Sequence, residues 1–128
     1  MTHARSTYPE ECCGFLLGVD SGPRRIFRTL AAQNVNEGSR KRRYNISPVD
    51  LVRADEEARR SNLELIGIYH SHPDASPQPS QVDLENAWPW YTYLVLPLQN
   101  GEPTDLAAWA LSQDRSTFNL EELRVIQD

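Results

Sequence analysis

The chain has 128 residues, 39% of them hydrophobic, with a formal net charge of -5. That length reads as one domain over residues 1–128, able to bury roughly two thirds of its unfolded surface. The acidic balance argues against general nucleic-acid binding, no apolar run approaches the ~20 residues of a membrane helix, and residues 1 to 8 lack the apolar core of a signal peptide.

Residues 1 to 8 are polar and too few to hold a helix unaided. Pro9-Glu10-Glu11 leads into the apolar run Cys13 to Gly18, which reads as a buried strand. Ser21-Gly22-Pro23 then turns the chain into a second strand over Arg24 to Leu30. Cys12 and Cys13 are adjacent and so poor disulfide partners, which suits a reducing, cytoplasmic setting. As small hydrophobes they belong in the core. Ala31 to Lys41 reads as a polar loop and Arg43 to Ile46 as a brief extended segment. The basic run Arg40-Lys41-Arg42-Arg43, with Arg24, Arg25 and Arg28 before it, is either solvated charge or a docking patch for an acidic partner, and composition does not separate the two.

Ser47-Pro48-Val49-Asp50 is a strong helix start: serine caps, proline suits the first helical position, and Asp50 takes the capping-box place. The helix is expected to run to about Arg60, with Leu51, Val52, Ala54 and Ala58 as its apolar side. Leu63 to His72 reads as the best strand, Ser80 to Asp83 as the opening of a second helix limited by Pro89, and Tyr91 to Leu96 as a further strand. Asn100-Gly101 signals a turn, and Leu106 to Leu111 and Phe118 to Ile126 read as two last strands. The sum is an α/β domain, a mixed sheet flanked by at least two helices.

On a strand, side chains at i and i+2 share a face, so Ile66, Ile68, His70 and His72 are expected to line up, with the imidazoles at the strand end. A loop with three prolines (Pro73, Pro77 and Pro79) follows and loses less entropy on ordering than a flexible one. It leads to Ser80-x-x-Asp83. Alone this is a helix cap, yet a capping serine keeps its O–H free to donate, and an aspartate in a first helical turn is stabilised as an anion. His70, His72 and Asp83 then offer three ligands and leave a fourth position for water, the layout of a catalytic zinc site.

His70-x-His72, seven residues, then Ser80-x-x-Asp83 resembles the signature of the JAMM (MPN+) metalloproteases, which is completed by a distant glutamate. The stretch Tyr8 to Gly18 is similar to the family's glutamate-bearing segment, and Glu11, immediately before the Cys-Cys pair, is the matching residue. Glu10 then reads as a solvated neighbour. The likeness extends to Arg43-Tyr44, the helix after it and Ala87-Trp88-Pro89, and is greatest to the small prokaryotic members. It weakens at the start, where relatives carry a full helix and this chain has eight polar residues before Pro9, so either that helix is a stub or the start lies upstream.

The resemblance implies an MPN (cytidine-deaminase-like) fold and one Zn²⁺ per chain on His70, His72 and Asp83. It implies Glu11 as the general base that later protonates the leaving amine, and Ser80 as hydroxyl donor to the oxyanion. The implied reaction is hydrolysis of the amide or isopeptide bond after the carboxyl-terminal glycines of a ubiquitin-like or sulfur-carrier protein, with no nucleic-acid or membrane partner. An extended tail can add beside the Arg43 to Ile46 segment, and Tyr44 and Trp90 either shape its groove or are ordinary core. Two other classes stay open: a metal-free MPN-type binding module, whose mark would be broken ligands, and a RadC-like DNA-repair-associated protein, which shares a similar motif. The sequence gives no oligomeric state.

Overall fold

An apolar run without polar interruption needs cover on both faces, and Cys13–Val19 receives it as an interior strand, β1. The computed structural model of the chain describes residues 8, 10–20, 24–36, 44–73, 87, 90–104, 106–112 and 118–121. In it β1 pairs antiparallel with β2 (Arg25–Ala32) on one side and with β3 (Glu64–Pro73) on the other. β3 pairs in parallel with β4 (Thr92–Gln99), beyond which lie β6 (Ala107–Leu111) and β7 (Phe118–Glu121), while β5 (Glu102–Pro103) turns back on the end of β4. The sheet order is β2-β1-β3-β4-β6-β7, mixed in direction, and the expected α/β class holds.

The single helix among the described residues, α1 (Pro48–Arg60), begins where its sequence says it should. The Ser47 hydroxyl accepts the Asp50 N–H at 3.2 Å, and Pro48 occupies the first turn. Past the end of the helix Asn62 has φ 58°, the left-handed conformation that closes many helices. Ala54 and Ala58, four residues apart on one stripe, pack on Phe15, Cys13 and Leu17 of β1. Leu51 and Val52, expected on that apolar side, are exposed instead, because two alanines alone make the contact. Arg28 of β2 reaches over to Glu57 at 2.9 Å and Ser61 at 2.7 Å and ties the helix to the sheet edge.

One irregularity matters for the site. Leu16 pairs with Gly67 but Leu17 pairs with Leu65, so Ile66 is an extra residue, a bulge in β3. It resets the alternation. Ile66 packs with Leu16, Leu94 and Ala108, whereas Ile68 packs against the cluster of Phe15 and Ala54. The expected row Ile66, Ile68, His70, His72 therefore breaks at its first member.

Other boundaries differ by small amounts. β2 reaches Ala32 because pairing with β1 continues past its apolar centre, and β4 reaches Gln99 because it pairs with β3 to Leu98 and with β5 at Gln99. β5, too short to carry a pattern, follows a two-residue turn in which Asn100 and Gly101 have φ 52° and 85°, both in the region that favours asparagine and glycine in tight hairpins. The extended segment expected over Arg43 to Ile46 is described from Tyr44 onward, where it runs beside residues 34–36 through Val35 N–H to Asn45 O at 2.9 Å without joining the sheet. The expected helix from Ser80 to Pro89, apart from the buried Ala87, and the tail beyond Glu121 lie outside the described residues. Among those described, no helix is long and apolar enough to cross a membrane.

Candidate metal centre

The site grows out of the β1–β3 register. Cys13 pairs with His70, and Ser71 N–H donates to Cys12 O at 3.1 Å. Continued beyond the paired residues, the same antiparallel count runs from Cys12 and Ser71 to Glu11 and His72, whose side chains do converge. All three side chains are buried: Glu11 is 4%, His70 1% and His72 6% exposed, whereas Glu10 is exposed. Their ligand atoms lie within 4.8 Å of one another. The two Nε2 atoms are 3.0 Å apart, with ring centroids at 4.7 Å and planes at 62°.

Burying two imidazoles and a carboxylate is costly unless they share a partner of opposite demand, and a cation is such a partner for this donor set. Two imidazole nitrogens each ~2.0–2.1 Å from one tetrahedral zinc stand about 3.3 Å apart, close to the separation found, so the residues fit the metal. Neighbours fix the rings. Tyr44 stacks on His70, centroids 4.5 Å and planes 24°, so the aromatic left between groove and core packs on the site itself.

Cys13, beside His70 in the register, offers no thiolate at neutral pH. Burial first, then the proximity of Cys12, Glu11 and Asp50, pushes its thiol up to about 12. Both cysteines are buried and free, as core residues.

Of the five residues singled out by sequence, the structure brings Glu11, His70 and His72 together. Ser80 and Asp83 lie outside the described residues. Two contacts were not foreseen: Asn34 Nδ2 donates to Glu11 O at 3.0 Å, and Ser71 Oγ accepts the Cys12 N–H at 2.8 Å. Ser71, held between the two histidines, was available as a signal, but a same-face count passes over it. Trp90, read as groove or core, is 57% exposed: its carbonyl accepts from Arg24, and its ring meets Tyr91 edge-on at 6.0 Å between centroids.

Two arginines of the basic set serve the fold. Arg24 contacts Asp20 at 3.0 Å, Ile66 O at 3.0 Å and Thr92 Oγ1 at 2.9 Å, and Arg28 is bound to α1. Arg40 to Arg43 lie outside the described residues.

The family described as prokaryotic homologs of the JAB domain matches residues 1–112. Over 100 residues the chain is 36% identical to a desampylase of Haloferax volcanii, an alignment spanning 74% of this chain and 70% of that one. A protein of Salinibacter ruber solved in solution is 42% identical with a TM-score of 0.73, over 94% of this chain and 81% of that one. A JAB1/MPN domain protein from Archaeoglobus fulgidus, 16% identical with a TM-score of 0.54 over 98% of this chain and 89% of that one, shares the fold.

Proposed function

From the premise that the chain belongs to the prokaryotic JAB-domain family, we propose that it is a zinc-dependent peptidase. Its substrate on this proposal is the amide or isopeptide bond that follows the carboxyl-terminal glycines of a ubiquitin-like or sulfur-carrier protein. The observation that carries the proposal is the buried convergence of Glu11 with the His70 and His72 Nε2 atoms. The substrate class rests on the family resemblance and on the likeness to a desampylase. The two free, buried cysteines fit a reducing, cytoplasmic setting.

In this reading His70 and His72, with Asp83, hold one zinc ion, and each imidazole keeps its proton on Nδ1 so that Nε2 presents a lone pair. Bound zinc supplies Lewis acidity and an acidified water, with a pKa of about 7. Glu11 accepts the proton of the attacking water and passes it to the leaving amine nitrogen. Ser80 donates its hydroxyl to the oxyanion as charge develops there. The burial of Glu11, His70 and His72 strengthens their contacts by keeping bulk water away.

The test is hydrolysis of a ubiquitin-like fusion ending in Gly-Gly, together with metal analysis, for wild type, His72→Ala and Glu11→Gln. His72→Ala is expected to lose both zinc and activity. Glu11→Gln is expected to keep zinc and to lose roughly 10²–10⁴-fold in turnover, the range for a general base. Full activity in Glu11→Gln overturns its role, and a wild type that holds no zinc and cuts nothing favours the metal-free binding module.

A further inference from the structure

Glu11 stands two residues ahead of β1, before the paired strand begins, and the backbone bond from Ser71 N–H to Cys12 O lies one peptide further on. Even so, both polar atoms of the peptide linking Glu11 to Cys12 are gripped, and by side chains. The carbonyl accepts from Asn34 Nδ2 at 3.0 Å, and the N–H donates to Ser71 Oγ at 2.8 Å. Two bonds at opposite ends of one rigid plane fix its rotation, and with it the direction in which Glu11 leaves the backbone.

The two gripping residues come from the two walls of the site. Ser71 is fully buried and sits between His70 and His72, so its hydroxyl ties the glutamate to the histidine strand itself. The other Asn34 atom, Oδ1, accepts the N–H groups of Asn36 and Asn45, each at 3.1 Å. Asn45 follows Tyr44, whose ring stacks on His70. The bond to Asn36, two residues on, is an ordinary Asx turn. The bond from the same amide to Glu11, 23 residues away, is not required by that turn.

We propose that Asn34 and Ser71 are positioning residues that clamp the Glu11–Cys12 peptide, setting the carboxylate against the imidazole pair for proton transfer. This rests on the role given to Glu11 above. A displacement on the order of 1 Å costs about 100-fold when it misaligns a reacting group, so a clamp of two bonds is expected to control rate while leaving substrate affinity alone.

The experiment is a pair of double-mutant cycles. Ser71→Ala and Asn34→Ala, neither of which changes charge, are each made in wild type and in Glu11→Gln. Cleavage of the Gly-Gly fusion, zinc content and Cys12 amide hydrogen exchange are measured. Each single variant is expected to lose roughly 10- to 100-fold in kcat, with KM within about twofold and zinc retained. Ser71→Ala is expected to speed exchange at the Cys12 amide. On the Glu11→Gln background neither substitution is expected to lower the residual rate further, because a clamp acts only through the group it holds.

The proposal is overturned if either variant turns over like wild type, or if the same fold-loss recurs in Glu11→Gln, which is how a general structural defect behaves. Should Ser71→Ala not fold, the half-buried Asn34 carries the test through Asn34→Ala. A wild type without zinc or cleavage would sink the peptidase assignment instead, and unchanged Cys12 exchange in Ser71→Ala would then still overturn the clamp.

Discussion

Near its start β3 is fastened by a guanidinium, and near its end by its own Ser71 hydroxyl, while an amide holds the facing Glu11 carbonyl. Arg24 spans the bulge: it bonds Ile66 O, Thr92 Oγ1, Trp90 O and Asp20 from one planar fork. At the other end Ser71 Oγ accepts from the Cys12 N–H and Asn34 Nδ2 donates to Glu11 O, both neutral bonds to one peptide. The difference follows from what lies nearby. A cation beside Glu11 and two imidazoles would favour the ionised carboxylate, weaken it as a base and oppose a bound metal ion. Neutral groups fix position without touching protonation, while at the bulge, away from the chemistry, a charge can be used freely.

The strongest way to break this comparison is to remove the guanidinium. Arg24→Ala leaves Ile66 O and Thr92 Oγ1 without their donor, and it is expected to cost about 2–3 kcal/mol of stability, the scale for hydrogen bonds to a charged group. That corresponds to a drop in Tm on the order of 10 °C. Arg24→Lys is expected to recover little, since one ammonium cannot reproduce a fork with several acceptors. Calorimetry checks the first number. Per folded molecule, kcat is expected to stay within about twofold, and a large fall in kcat at unchanged Tm would reverse the roles of the two ends.

A smaller effect tests the claim that the site end shuns charge. Cys13 pairs with His70, and its thiol is pushed up to about 12 from an ordinary 9.0, chiefly by burial. Above pH 9 the unfolded chain releases this proton and the folded chain keeps it. The unfolded state then binds fewer protons, and stability falls as pH rises from 9 towards 12, by about 1.4 kcal/mol per pH unit at full slope. Burial pushes the Tyr69 phenol up as well, so the wild-type decline includes that group. Denaturant unfolding at pH 8.5, 9.5 and 10.5 is expected to show a shallower decline in Cys13→Ala. An unchanged slope would mean that the thiol ionises inside the fold.

How much of this was legible in the sequence depends on whether a feature is local. β1 could be read because strand residues covered on both faces must all be apolar or small, and the α1 start because Ser47, Pro48 and Asp50 are a cap within four residues. The imidazole pair at the end of β3 follows from i and i+2 alternation. The bulge at Ile66 does not, since a bulge is defined by the partner strand, and nothing in Leu65-Ile66-Gly67 announces which residue goes unpaired. Asn34 and Ser71 were missed for a related reason. Each binds backbone, 23 and 59 positions away, and a backbone acceptor leaves no mark in the residue types around it. The exposure of Leu51 and Val52 was hidden too, because an apolar helix residue looks the same in sequence whether or not a sheet reaches it.

The finest test asks whether the two fastenings know of each other. Ile66 and Ser71 are five residues apart on one strand, roughly 17 Å at ~3.3 Å per residue, and they share no hydrogen-bond partner among the described residues. Substitutions so separated add to within about 0.5 kcal/mol. Arg24→Ala with Ser71→Ala is therefore expected to destabilise by the sum of the single changes, and Ser71→Ala is expected to reduce kcat by the same factor with or without Arg24. Coupling has one physical route here. Loss of the guanidinium would have to let the bulge slip, returning Ile66 to pairing and moving every later residue of β3 by one position, which would turn His70 and His72 to the opposite face. Such a slip would abolish zinc binding outright, so metal content in Arg24→Ala separates it from simple loss of stability. Retained zinc with additive energies means that β3 is held at two independent points. Lost zinc means that the bulge sets the register on which the imidazole pair depends.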